Sequence, residues 1–343
     1  MKISDVRNMA ELRQFMTMPT EGLVKMMREL RGDVMVLGGG GKVGPELTET
    51  IVRADREAGT RRTVYVADLF PDPRGVEPLD ELGCRVIKGD LTDRGFLASL
   101  PDVPHVIFMV GLKFGSSKDW RAAFHINAIL PYLAGERFTK SNIVAFTSAN
   151  PYPHTPIEQG GSKETDELAP QGVYGWGIVA REGAFATTQL RNPGQKVAFY
   201  RLAYAQHLCY GVLVDLTRMI KDGETISLAM PAVNLLSQRD AIDAAIRLLS
   251  KCANPAFALN VAGPGVRVRD VCEKLGRHIR RKPVFASDEG KTALLANDQL
   301  CRRLFGEYRD GVDEMIEAAA KWVMASGEYW QKPTLFGRVR HDY

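Results

Sequence analysis

Short, nearly unbroken apolar runs recur along the chain: Val34-Met35-Val36-Leu37, Val64-Tyr65-Val66-Ala67, Arg85-Val86-Ile87, Val106 to Val110, Ile143 to Phe146 and Val197 to Tyr200. Between them, apolar residues return every three or four positions over 45–57, 119–137 and 175–191, the period of a helix with one buried face. Strands that are apolar on both faces need helices on both faces, and this alternation is that of a parallel sheet. Right-handed crossovers then wind the chain around the sheet twice. The expected fold class is α/β, a doubly wound parallel sheet. Beyond residue 205 the pattern is mixed, with helices expected near 212–221, 240–250, 267–279 and 311–325. Before the first strand, Leu12, Phe15 and Met16 form one apolar stripe; Leu23, Met26, Met27 and Leu30 form another, with Thr20 as a helix cap. The expected organisation is a helical extension over 1–31, a sheet domain over 32–203 and a smaller lobe over 204–343, from which some chain returns to the sheet. The extension is expected to pack on the core or on a partner subunit.

Composition narrows the partners. The 343 residues carry a net charge of only +4, and the basic residues are scattered, so nucleic acid is not expected to bind. No apolar run reaches the length of a membrane span, and Met1 to Arg7 has no apolar leader, so a cytoplasmic protein with no membrane partner is expected. Five cysteines without CxxC spacing read as reduced thiols, and six isolated histidines give no metal site.

The chemistry begins at Gly38-Gly39-Gly40-Gly41-Lys42-Val43-Gly44, which follows the first strand and opens a helix. Gly38 suits a tight turn, Gly41 a close approach of backbone to a pyrophosphate, and Gly44 close packing of helix on strand. Lys42 and Val43 belong to the same turn. The helix N-terminus adds free N–H groups for the anion. Asp68 ends the second strand, 24 residues after Gly44, where a carboxylate accepts both ribose hydroxyls of NAD and repels the 2′-phosphate of NADP. Arg74, nearby, argues the other way, so NADP is the less favoured cofactor. Asp90-Leu91, at the end of the third strand, is placed to meet adenine, and Asp90 also suits a cap for the following turn. These features make the doubly wound sheet Rossmann-type.

With these residues in hand, the chain resembles the extended short-chain dehydrogenase/reductase family, the NAD-dependent epimerase/dehydratases, over roughly 32–325. The resemblance rests on the glycines at 38, 41 and 44, on Gly89-Asp90-Leu91-Thr92-Asp93, on Asn127, on Thr147-Ser148-Ala149-Asn150-Pro151-Tyr152, on Tyr174-Gly175-Trp176-Gly177-Ile178, on Arg201-Leu202 and on Arg239-Asp240-Ala241. It implies a sheet domain with a smaller substrate lobe, and hydride transfer in which Ser148 orients the substrate oxygen and Tyr174 moves the proton. It adds Val110 and Asn127 to the cofactor contacts, together with Tyr174. The family's YxxxK lysine is absent, because position 178 is Ile178. A phenol needs a nearby cation to act near neutrality. Lys113, just past the fourth strand, is the preferred substitute and is counted with Ser148 and Tyr174 as catalytic. Arg181, roughly 10 Å along the helix from Tyr174 with a side chain that leans back toward the helix start, is the second candidate cation, although an ion pair with a neighbouring acid is the favoured reading of it.

For the substrate, Tyr152, Tyr204, Gln206, His207 and Asn234 offer aromatic and polar groups suited to a hydroxylated, ring-like molecule, with Ser237 and Gln238 nearby and Tyr152 or His154 as alternative acids. The lobe shows no Arg/Lys cluster like a diphosphate clamp, which leaves room for a sugar, a sugar acid or another small polyol beside a nucleotide sugar. The reading is an NAD-dependent oxidoreductase or epimerase/dehydratase acting on a carbohydrate-like alcohol or ketone. The alternative is an NAD-binding sensor or scaffold that has lost catalysis with its lysine. A homodimer is expected through the helices near 119–137 and 175–191, with Ala180, Ala184, Phe185 and Ala186 permitting close packing.

Overall fold

The computed structural model describes residues 2–70, 76–331 and 334. Seven strands form one sheet: β1 (Val34–Leu37), β2 (Val64–Asp68), β3 (Arg85–Lys88), β4 (His105–Phe108), β5 (Asn142–Ser148), β6 (Lys196–Leu202) and β7 (Phe257–Val261). All pairs are parallel, and the spatial order is β7-β6-β5-β4-β1-β2-β3. The order reverses between β1 and β4, so a crevice opens beyond their carboxyl ends. β1 is buried along its whole length, as its four apolar residues require. β3 lies at the edge and keeps Arg85 and Lys88 in solvent, which blocks further pairing. β7 was visible in sequence only as chain returning from the lobe; Phe-Ala-Leu-Asn-Val carries little periodicity of its own.

Apolar clusters cover both faces of the sheet, one around Val36, Ile51 and Ile242 and the other around Leu37, Phe108 and Phe185. A third cluster fills the lobe around Leu216, Leu275 and Ile316. The helix expected over 119–137 is interrupted by a π-turn, His125–Ile129, between helices Trp120–Phe124 and Leu130–Arg137. Such a turn widens the helix locally and re-aims one side chain, here Asn127, which becomes fully buried.

The N-terminal extension forms helices Met9–Met16 and Glu21–Glu29, and it packs on its own chain. Leu12, Phe15 and Met16 enter the lobe cluster, while Leu23 and Met27 enter the cluster under the sheet. Thr20 caps the second helix at Leu23 N, and its hydroxyl donates to Asp243 at 2.6 Å. Arg309 reaches back to Met18 O. One short segment therefore spans both units.

Candidate functional site

The glycine turn is shaped by sterics. Gly38 has φ +83°, and a Cβ there would lie 2.7 Å from Val110 N. A Cβ on Gly44 would lie 2.2 Å from Gly39 O, so helix Gly44–Ala58 rests directly on the turn. Gly39 is as constrained, since its Cβ would meet Val66 at 2.3 Å, and the motif spacing alone does not single it out. Gly41 differs: a Cβ would meet only Gly38 O, at 3.6 Å. Its outer side is open, as a pyrophosphate lying on backbone N–H groups requires. Asp68 faces the turn and accepts the Gly40 N–H at 2.8 Å and the Leu69 N–H at 2.6 Å. Arg74 lies outside the described residues.

The other expected cofactor residues divide. Asp90 accepts from Thr92 N and Oγ1, so it shapes the turn after β3. Leu91 is buried in the core, Val43 packs against the core under the sheet, and Val110 abuts Gly38. The Lys42 ammonium lies over the Tyr210 ring, 3.6 Å from its centroid. Asn127 brackets the loop after β4: its Oδ1 accepts Leu112 N–H and its Nδ2 donates to Leu112 O.

Ser148, at the end of β5, sits beside Tyr174 of helix Gly172–Arg191, and its hydroxyl is among the groups that act on the Tyr174 phenol. Its Oγ also accepts the Asn150 N–H at 3.1 Å. The Lys113 ammonium stands 5.6 Å from the Tyr174 ring centroid and 5.9 Å from that of Tyr204. Lys113, Ser148, Asn150, Tyr204 and Leu294 line one cavity of about 50 Å³. Burial pushes the Tyr174 phenol above its usual range, opposed by the Arg181 guanidinium and the Ser148 hydrogen bond. Burial, then the Lys42 ammonium, lowers Lys113 to about 8. Ile178 is 1% exposed and packed inside.

The structure places several of the expected substrate groups in internal hydrogen bonds. Tyr152 is buried, and its hydroxyl donates to Asn260 Oδ1 at 2.8 Å and receives Arg201 Nη1 at 2.6 Å, so it is a core group rather than a pocket wall. Asn234 spends its amide on Gly263 O, Ala296 O and Ala296 N. Gln206 donates to Tyr204 O and accepts from Leu213 N. His207 Nε2 lies 3.1 Å from Glu46, its Nδ1 accepts the Cys209 N–H, and its ring stacks on Trp330 at 4.6 Å. Gln238 donates to the other oxygen of Glu46. In each case the polar group is taken by partners within the chain, side chains of the sheet and of helix Gly44–Ala58 or backbone of the connecting loops, which sequence spacing does not reveal. Of the five expected substrate residues, only Tyr204 joins the cavity with Ser148. Arg181 makes no ion pair among the described residues; it bonds Phe146 O and Asn127 instead. Arg269, Arg277, Arg281 and Lys282, scattered in sequence, do gather around a cleft on the lobe, which shares no residue with the Ser148 cavity. Phe185 packs edge-on against Phe108 at 5.4 Å and faces the sheet, not a partner.

No protein family's sequence profile matches the chain, and no curated protein does. Solved structures do match by shape. A UDP-glucose 4-epimerase from Thermotoga maritima, solved with UDP-glucose, is 17% identical, with 86% of this chain and 99% of that one covered at a TM-score of 0.68. One from Thermus thermophilus, solved with NAD, is 17% identical, with 84% and 98% covered at 0.67. A UDP-glucuronic acid 4-epimerase from Bacillus cereus is 13% identical, with 85% and 99% covered at 0.68. The chain has the fold of the extended short-chain dehydrogenases.

Proposed function

We propose, for a chain with the fold of the NAD-dependent sugar epimerases, that it binds NAD(H) at the carboxyl end of the sheet and acts on a carbohydrate-like alcohol or ketone. Bound NAD would supply the hydride acceptor. The observation that carries the reading is the placing of Ser148 beside Tyr174, with Ser148 and Lys113 on one cavity. Gly41 and the N-terminus of helix Gly44–Ala58 hold the pyrophosphate, and Asp68 holds the ribose of NAD in preference to that of NADP. Ser148 orients the reacting oxygen, Tyr174 moves its proton, and Lys113 and Tyr204 contact the substrate. Ile178 favours the second reading, a cofactor-binding protein without turnover. The serine beside the tyrosine and the lysine at the cavity support catalysis.

Binding is the first test. Native protein titrated with NADH and NADPH should prefer NADH. Asp68→Ala should weaken NADH by about 10–100-fold, the size of a lost hydrogen bond to a charged group, and narrow the preference over NADPH. Equal NADH affinity in the variant would remove Asp68 from the site, and no binding of either nucleotide would remove the site itself.

The assembly we propose is a homodimer through the two helical stretches after β4 and β5. Their outer faces expose Trp120, Ile129, Trp176 and Leu190, the last 85% accessible, and Ala186 lies beside them. An apolar stripe of this kind on a folded surface marks a contact. Sedimentation should give a dimer for the native chain and a monomer for Trp176→Glu/Leu190→Glu. A monomeric native chain would exclude the interface.

A further inference from the structure

A buried guanidinium normally comes with a carboxylate, because an uncompensated charge is costly to remove from water. Arg181 departs from this. It is 3% exposed, and its two hydrogen bonds go to neutral acceptors, Nη1 to Phe146 O at 2.6 Å and Nη2 to Asn127 Oδ1 at 2.7 Å. Its Nε–H has no hydrogen-bond partner among the described residues. Glu182, next in sequence, is committed to Arg201 through both carboxylate oxygens. The Glu182 carboxylate acts on Arg181 through space but bonds Arg201, and neutral acceptors satisfy hydrogen bonds without cancelling the field, so part of the charge remains available to whatever lies close.

What lies close is Tyr174. Arg181 follows it by seven residues, two turns along one helix face, and a helical side chain leans toward the N-terminus. The guanidinium thereby reaches the carboxyl ends of β4 and β5: it bonds Phe146 of β5, and a Cβ on Gly111 would lie 2.9 Å from its Nη2. Phenol and guanidinium each favour the other's charged form.

We propose that Arg181 is the positioning residue that supplies Tyr174 with a fixed positive charge, and that Asn127, aimed by the π-turn His125–Ile129, holds it there. The inference rests on the proton-transfer role of Tyr174. Among the described residues, the groups that face Tyr174 include Arg181 from its own helix and Lys113 from the loop after β4, with the Ser148 hydroxyl from β5. Lys113 loses its charge as pH rises through about 8, whereas Arg181, lowered by burial to about 10, keeps its own. Across the mildly alkaline range, where alcohol oxidation needs phenolate, Arg181 is the cation that persists.

The test reads Tyr174 directly. A fluorinated tyrosine, more acidic than tyrosine, is placed at position 174 and its phenolate absorbance is followed against pH without cofactor or substrate. Arg181→Met should raise the midpoint by about 1–3 pH units, the effect of removing an adjacent opposite charge. Arg181→Lys should stay nearer the native value. Ile178→Lys/Arg181→Met moves the cation to the same helix face one turn nearer and should recover most of the shift. An unchanged midpoint in Arg181→Met overturns the proposal. Should that variant not fold, the double variant decides: a midpoint at or above native supports the proposal, since the new lysine replaces Arg181 or falls short of it, and one well below native sinks it, since the lysine then acts on a phenol that Arg181 had not lowered. Because no nucleotide is present, the result is independent of whether NAD binds.

Discussion

Tyr174→Phe is expected to cut turnover by about 10²–10⁴-fold, the usual contribution of a positioned acid or base, while leaving NADH affinity nearly unchanged. Removing one hydroxyl takes away the proton carrier, but little of the surrounding packing. Turnover is followed as NADH appearing in solution or, where nucleotide stays bound, as inversion at a sugar carbon. The pH dependence has a definite sign. Burial holds the phenol above its ordinary value, so the phenolate needed to accept a proton is the minor form near neutrality. Oxidation should therefore quicken as pH rises toward that value. Near-normal turnover in the variant would remove Tyr174 from the mechanism.

Arg201→Met is expected to destabilise the fold by about 3–5 kcal/mol, because it strands a buried carboxylate. Arg201 grips Glu182 with Nε at 2.9 Å and Nη2 at 2.7 Å, and its Nη1 serves Tyr152 and Glu164 O. Both partners of the ion pair are nearly inaccessible. Thermal unfolding should move down by of order 10 °C. The double variant Glu182→Gln/Arg201→Met should recover part of that loss, since no lone charge remains. A melting temperature within a degree or two of native would mean that the pair contributes little and that water reaches Glu182.

The parts of the molecule legible in sequence were those with a local cause. Apolar runs at β1, β2, β4, β5 and β6 mark strands because the sheet is covered on both faces, and Gly38 and Gly44 mark a turn because only glycine fits there. Ser148 and Tyr174 were legible through a resemblance and do meet in space. The lobe's polar residues were not legible. Tyr152, Gln206, His207 and Asn234 look like ligand contacts in a linear reading because polar groups beyond a strand end suit a pocket. Their partners come from far along the chain, as when Asn260 and Arg201 take the Tyr152 hydroxyl, so satisfaction of buried groups is decided by tertiary structure. Arg181 was misread for the same reason: an ion pair is the commonest fate of a buried arginine, and the π-turn that brings Asn127 to it leaves no periodic signature.

The N-terminal segment has a mechanical consequence. Phe15 and Met16 are embedded in one unit, Leu23 and Met27 in the other, and the Arg239 guanidinium stacks 3.8 Å from the Phe15 ring. A hinge that swung the lobe from the sheet would have to pull one of these anchors through its core. The two halves are thereby pinned like the leaves of a book sewn at the spine. Opening the crevice by swinging the lobe away would therefore expose apolar side chains of both clusters.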